Sequence, residues 1–187
     1  VADGALIVVG VYFIAKQLTN RVGGVLGALL LIPHPLAIYL SSLAGSDALL
    51  GLFVVLSTLA AIALARYPNW WWAVLLGVLL GLGGSTKLSP MLIALPLAAL
   101  GVVLIIGATR LRGPEANRVT AVGWRLVPLP AVAFATFVFV YPYLWPDPIG
   151  RTVTLFAYRS QEMESQSRIW ANLAVPNSAA ALGRIGY

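Results

Sequence analysis

Residues 70–106 read WWWAVLLGVLLGLGGSTKLSPMLIALPLAALGVVLII, a stretch whose one charged side chain is Lys87. As a single helix rising 1.5 Å per residue it would be roughly 55 Å long, far more than a hydrocarbon core of roughly 30 Å needs. Two helices are therefore expected, one on each side of the lysine. The break has its own chemistry. Gly81, Gly83 and Gly84 weaken the end of the first helix, Ser89 is placed to cap the second, and Pro90 falls at its first helical position.

The rest of the chain has the same character. Its 187 residues are 60% hydrophobic and only 10% charged, and the mean hydropathy is +0.90. A soluble domain carries about a quarter charged residues to keep its surface wet. The composition points to an all-α, polytopic membrane bundle. The net charge of +6 gathers in short connections between apolar runs rather than along one stripe. It reads as a topology signal, and no nucleic-acid partner is expected. There is no cysteine, so thiolate and disulfide chemistry are excluded. The first residue is Val1, and residues 1–15 have neither a basic leader nor a cleavage site, so they are not read as a signal peptide. The chain is expected to be an internal piece of a longer protein, with the preceding span begun upstream.

Apolar runs at 5–15, 22–40, 48–65, 70–84, 90–106 and 126–144 predict about six spans. Alternate connections then hold Lys16 and Arg21, then Arg66, then Arg110, Arg112, Arg118 and Arg125, which marks that side as cytoplasmic. Were 70–106 one span, Arg66 and the Arg110 cluster would fall on opposite sides. The other connections carry Asp47 and Lys87, which therefore face outward together. Trp70, Trp71 and Trp72 at one end, and Tyr141, Tyr143 and Trp145 at the other, are placed as interfacial aromatic belts. Residues 1–145 form the expected transmembrane domain. Residues 146–187 form an outer segment in which 152–170, mixing Val153, Leu155, Phe156, Tyr158, Met163 and Ile169 with charge, suggests a helix lying on the membrane surface.

Charge is costly inside a bilayer, by roughly 2.5–3.5 kcal/mol on insertion scales, so Asp47 and Lys87 each need water or a partner. Asp47 follows Ser46 and precedes a helix. It reads either as an N-cap favoured by the helix dipole or as a carboxylate offered to a metal, a sugar hydroxyl or a catalytic base. Lys87 either snorkels toward headgroups or stands beside a helix N-terminus, where two positive fields converge on a phosphate. Ser85, Thr86 and Ser89 supply hydroxyls beside it. The preceding glycines lack P-loop spacing and suit close helix packing. His34, between Pro33 and Pro35, reads as a kink rather than a metal ligand. The Arg110–Arg125 cluster is a topology determinant, with anionic-lipid contact as a second role. Glu162 and Glu164, two apart, point to different helix faces and make a poor catalytic pair. No nucleophilic triad, clustered metal ligands or nucleotide fingerprint is visible.

The order Tyr39-Leu40-Ser41-Ser42, then Ser46-Asp47-Ala48-Leu49-Leu50, then Gly81-Leu82-Gly83-Gly84-Ser85-Thr86-Lys87 resembles the protein O-mannosyltransferase and aminoarabinose transferase group, the family 39 GT-C glycosyltransferases. The resemblance covers most of the chain, and Tyr141 to Pro148 and Arg159 to Val175 look like the following outer loop of bacterial members. It implies a polytopic membrane enzyme of the bacterial plasma membrane. Such an enzyme moves a sugar from a polyprenyl-phosphate donor to a protein or lipid acceptor on the extracytoplasmic face. By the same resemblance Lys87, with Thr86 and Ser85, sits at the donor phosphate, and Asp47 is a supporting acidic residue. The family's catalytic acidic pair belongs to the first outer loop, upstream of this chain. The base is therefore assigned to no residue here, and the isolated piece is expected to be inactive. A divalent metal stays open as a cofactor.

In the transfer so implied, a phosphate leaving group carries its own charge and needs a cation more than a general acid. Lys87 and the dipole at Pro90 would stabilise it, while a carboxylate base takes the acceptor proton. The rival reading is a transporter or lipid flippase with Asp47 and Lys87 lining the path. Midplane charges and inverted repeats would favour that reading, whereas these two charges lie near one interface. A purely structural subunit is the third reading.

Overall fold

The computed structural model describes residues 2–42, 46–111 and 113–169. Arg112, Trp170 and the rest of 170–187 lie outside the described residues, and with them the end of the expected surface helix and of the family-like outer loop. Among the described residues the chain is helical without strands. It divides into two units, Val1–Pro142 and Tyr143–Tyr187.

In the first unit, α1 (Ala2–Leu18) is followed by α2 (Arg21–Leu31), whose start is capped by Asn20 Oδ1 accepting from the Gly23 amide at 2.9 Å. The run 22–40, expected as one span, is instead α2 and α3 (Pro35–Ser42). Two prolines divide it. Pro33 has no amide to continue the ladder, and Pro35 disfavours helical geometry at the residue before it while suiting the first position of a new helix. His34 bridges the kink through its backbone, donating to Leu31 O at 3.1 Å and accepting from the Ile38 amide at 3.1 Å. The kink read at His34 is present, and the histidine side chain is exposed there.

Next come α4 (Ser46–Arg66) and α5 (Trp70–Thr86), the latter started by Asn69 Oδ1 accepting from the Trp71 amide at 3.1 Å. The quoted stretch is two helices, as its length requires. Its second half begins as a single turn, α6 (Ser89–Leu92), and continues as α7 (Ala94–Ala108). Ser89 is not a cap. Leu88 holds that position without a side-chain hydrogen bond, Ser89 is the first helical residue and Pro90 the second. The step at Ile93 follows from Pro96, which has no amide to offer the carbonyl of Leu92.

The expected cytoplasmic connection around Arg110–Arg125 is largely helical too. Gly113, at φ 86°, turns the chain into α8 (Pro114–Leu126), and Pro128 separates it from α9 (Leu129–Val140). The last apolar run is thus a shorter helix than 126–144, extended backward by α8 across a proline break. Among the described residues, three stretches are long and apolar enough to cross a membrane: Asp47–Arg66, Ser89–Ala108 and Pro114–Val140. Arg21–Leu31 and Trp70–Thr86 are apolar but shorter.

Side-chain meetings give the directions. Ile7 lies against Gly51 and Gly10 against Val55, so α1 and α4 run parallel. Gly24 meets Tyr12 and Lys16 while Gly27 meets Val11 and Ala15, so α2 returns antiparallel to α1. Gly83 faces Phe53, making α5 antiparallel to α4, and Gly77 against Val132 with Gly84 near Phe137 makes α9 parallel to α5. The chain therefore shuttles back and forth, and the starts of α4 and α6 share one end of the bundle with the ends of α5 and α9.

Small residues set the spacing of this bundle. A Cβ on Gly81 would strike the Ala133 carbonyl and stand 2.7 Å from Thr136 Cβ, so α9 can approach α5 only over a glycine. Leu64, Leu76, Leu129, Ala133 and Phe137 fill the interior, while Leu30, Val103, Ile106 and Phe139 stand exposed on the outside. An apolar exterior with small residues at the helix contacts is the arrangement a lipid solvent favours.

The second unit contains α10 (Pro148–Ile169), which starts earlier than the 152 expected because Asp147 Oδ1 accepts from the Gly150 amide at 3.0 Å. Arg151 donates to Tyr143 O at 2.5 Å with its guanidinium 4.9 Å from the Tyr143 ring centre, and Arg159 pairs with Glu162 at 2.6 Å. Ile149, Val153 and Met163 are exposed along one face of this helix.

Candidate functional site

Asp47 lies in the first turn of α4 and Lys87 immediately follows α5, so the antiparallel packing of these two helices brings both residues to one end of the bundle. They meet. Lys87 Nζ forms an ion pair with Asp47 Oδ1. The sequence placed the two charges on one face; the helix pair turns that proximity into a contact. Asp47 is the second residue of α4 rather than its N-cap, and Lys87 has an ionic partner within the protein.

Each charge also sits at the favourable end of its own helix dipole, the carboxylate at the N-terminus of α4 and the ammonium at the C-terminus of α5. Asp47 Oδ1 is shut off from solvent with Lys87 as its ion partner. The side chains as wholes are nevertheless open, Lys87 47% and Asp47 43% exposed, so an incoming polar group can reach the rest of both. A pair this exposed is worth about 0–1 kcal/mol to stability, which leaves it free to exchange partners.

The surroundings of Lys87 are helical backbone and glycine. Its amide donates to Gly83 O at 3.0 Å, and Thr86 Oγ1 donates to the same carbonyl at 2.7 Å. Ser85 Oγ donates to Leu82 O at 2.6 Å. Both hydroxyl protons are therefore spent inside α5, and toward a ligand Ser85 and Thr86 present acceptor lone pairs unless those bonds rearrange. The expected dipole beside Lys87 is also small, because α6 is a single turn with few aligned peptides. The local cation is Lys87 itself.

Below the pair, along the helices, lies an apolar cleft of about 130 Å³ lined by Phe53, Val54, Leu76, Leu80, Pro90, Ile93 and Leu97, with Ser57, Thr58 and Ala61. It is framed by α4, which carries Asp47, and α5, at whose end Lys87 stands, together with α6 and α7.

Residues 2–141 match the sequence profile of the dolichyl-phosphate-mannose-protein mannosyltransferase family. The chain belongs to that family. Neither a curated protein nor a solved structure matches it. Membership makes the chain part of a membrane glycosyltransferase of mannosyltransferase type, a class that draws on a polyprenyl-phosphate sugar. It also bears on the rival reading, since the transporter alternative finds both charges paired at one end of the bundle rather than along a path.

The opposite end of this mannosyltransferase-family chain holds features the sequence reading missed. Arg118 on α8 donates to the carbonyls of Ala65 and Arg66 at 3.0 and 3.1 Å, closing the C-terminus of α4. Arg66 in turn donates to Gln17 O at the end of α1. Arg125 donates to Ala121 O at 2.6 Å and lies 5.5 Å from the Trp70 ring centre. These basic residues serve as helix C-terminal partners as well as topology markers. A cation facing the last turn of a neighbouring helix has no local sequence signature, so pattern reading could not find it. Asn20 and Asn69 did carry a signal, each standing immediately before an apolar helical run.

Among the described residues no group of three or more His, Asp or Glu side chains is placed to hold a metal ion. The Asp47 carboxylate, already engaged by Lys87, belongs to no such group.

Proposed function

We propose that this chain carries the donor-phosphate side of a glycosyltransferase acting at the extracytoplasmic face of a bacterial plasma membrane. The Asp47–Lys87 pair at one end of the bundle is the observation that carries this reading. In it, the phosphate of a polyprenyl-phosphate sugar docks at Lys87, with Ser85 and Thr86 beside it and Asp47 orienting the ammonium. The apolar cleft below supports the reading, because a lipid-borne phosphate needs apolar surface for its chain next to a cation for its head. The acceptor, a protein or lipid hydroxyl or amine, attacks the anomeric carbon. Lys87 neutralises charge on the departing phosphate, an electrostatic contribution of about 2.7–4 kcal/mol for a well-placed donor. The base is assigned to an outer-loop carboxylate outside these residues, so residues 1–187 alone would not turn over. A divalent cation joining the site would use Asp47 as one ligand.

The test is turnover of Lys87→Ala in the complete protein, normalised to folded protein, with a polyprenyl-phosphate sugar as donor. A fall of roughly 100- to 1,000-fold in kcat is expected. Unchanged activity per folded molecule removes Lys87 from the mechanism.

A further inference from the structure

The Asp47–Lys87 pair is electrically neutral, which is a curious choice for a site that binds an anion. A lone lysine would attract a phosphate more strongly. Asp47 is held against Lys87 by its position in the first turn of α4, with Oδ1 turned inward to the ammonium. A ligand that reaches Lys87 therefore always comes near a fixed negative charge.

We propose that Asp47 is a positioning residue that sets how the site distinguishes a singly from a doubly charged lipid phosphate, weakening the second more and so easing product departure. This rests on reading Lys87 as the phosphate-side cation. In the transfer, the bond between the anomeric carbon and the phosphate oxygen breaks with its electron pair left on that oxygen. A new bond forms from the anomeric carbon to the acceptor atom, and the acceptor proton passes to the base. A phosphodiester with one negative charge becomes a phosphomonoester, whose second pKa near 6 leaves it with a charge approaching −2 at neutral pH.

The energetic consequence is simple. Lys87 attracts both species, and Asp47 repels both in proportion to their charge. Without Asp47 the product would be held by Lys87 with its full extra charge, and release would slow. With Asp47 present, Lys87 can turn from the carboxylate toward the phosphate as negative charge builds, then return to the carboxylate when the product leaves. The half-exposed pair costs little to open.

The complete protein in detergent at pH 8 is titrated with farnesyl phosphate, a monoester dianion, and with farnesyl methyl phosphate, a diester monoanion. Asp47→Asn should tighten the diester roughly threefold and the monoester roughly tenfold, since the repulsion removed scales with ligand charge. Asp47→Glu should restore the wild-type ratio. A merely structural Asp47 would not move that ratio. Equal tightening, no change, or weakening of both ligands by Asp47→Asn overturns the proposal. Lys87→Ala separates the two levels. If it weakens both ligands while Asp47→Asn leaves their ratio alone, only the role of Asp47 falls; if it binds both like the wild type, the phosphate reading of Lys87 falls as well. Should Asp47→Asn fail to fold, Asp47→Ser keeps a residue suited to a helix start and removes the same charge.

Discussion

At the end of the bundle where α4 begins, Lys87 faces the carboxylate of Asp47; at the end where α4 finishes, Arg66 and Arg118 face backbone carbonyls. Both arrangements satisfy a cation, but by different means. A carboxylate cancels the whole charge and leaves the Asp47–Lys87 pair neutral. Carbonyl dipoles at helix C-termini satisfy hydrogen bonds yet leave the formal charge in place. The second end therefore keeps its positive excess, which is what a topology signal requires. The first keeps one cation in a half-exposed pair, which is what the proposed phosphate site would require. The same residue type, a basic side chain at a span end, is thus put to two uses by the partner that the neighbouring helix supplies.

Several substitutions break or sharpen this contrast. The largest effect is the turnover loss expected for Lys87→Ala under the proposed role of Lys87 at the donor phosphate, since an exposed ion pair contributes little to the fold. Gly84→Val comes next. A Cβ there would stand 2.8 Å from Met91 Cβ, so the added methyls would push α6 from α5 beneath Lys87. A loss of about 1–3 kcal/mol in thermal or denaturant unfolding is expected. At the other end, Arg118→Ala removes two hydrogen bonds to the last carbonyls of α4 and should cost about 1–2 kcal/mol with turnover per folded molecule unchanged. If that variant instead abolished turnover while leaving stability alone, the division of labour between the ends would be wrong. The smallest change is expected of Arg110→Gln, whose side chain is exposed at the arginine-rich end. Stability should move by no more than about 0.5 kcal/mol.

Much of this was legible in particular residues. The length of 70–106 demanded a break, and the break is where Lys87 stands. Gly81, Gly83 and Gly84 were read as packing residues, and they are where α5 touches α9, α6 and α4. Pro33 and Pro35 announced a kink at His34, but a run of apolar residues cannot say whether a kink bends one helix or ends it. Ser89 misled because serine before proline resembles a cap, while the chain at Leu88 already has helical geometry. Arg118 and Arg125 were taken for a connection because charges rarely enter spans, yet both stand on a helix that packs against α7 through Gly101 and Gly123.

Composition and order alone settled that the chain is helical and built for a membrane. They also established that its positive charge gathers at one side and that Asp47 and Lys87 share the other. Those properties are sums over many residues or consequences of helix length, and they survive ignorance of which helices touch. Only the tertiary structure decided that Asp47 and Lys87 are partners, that Ser85 and Thr86 spend their protons on α5, and that Arg118 closes α4. Each of these is a contact between atoms a few ångströms apart, set by which glycine lets which helix approach. Hydropathy and charge counts place a residue along the membrane normal, but not around the bundle.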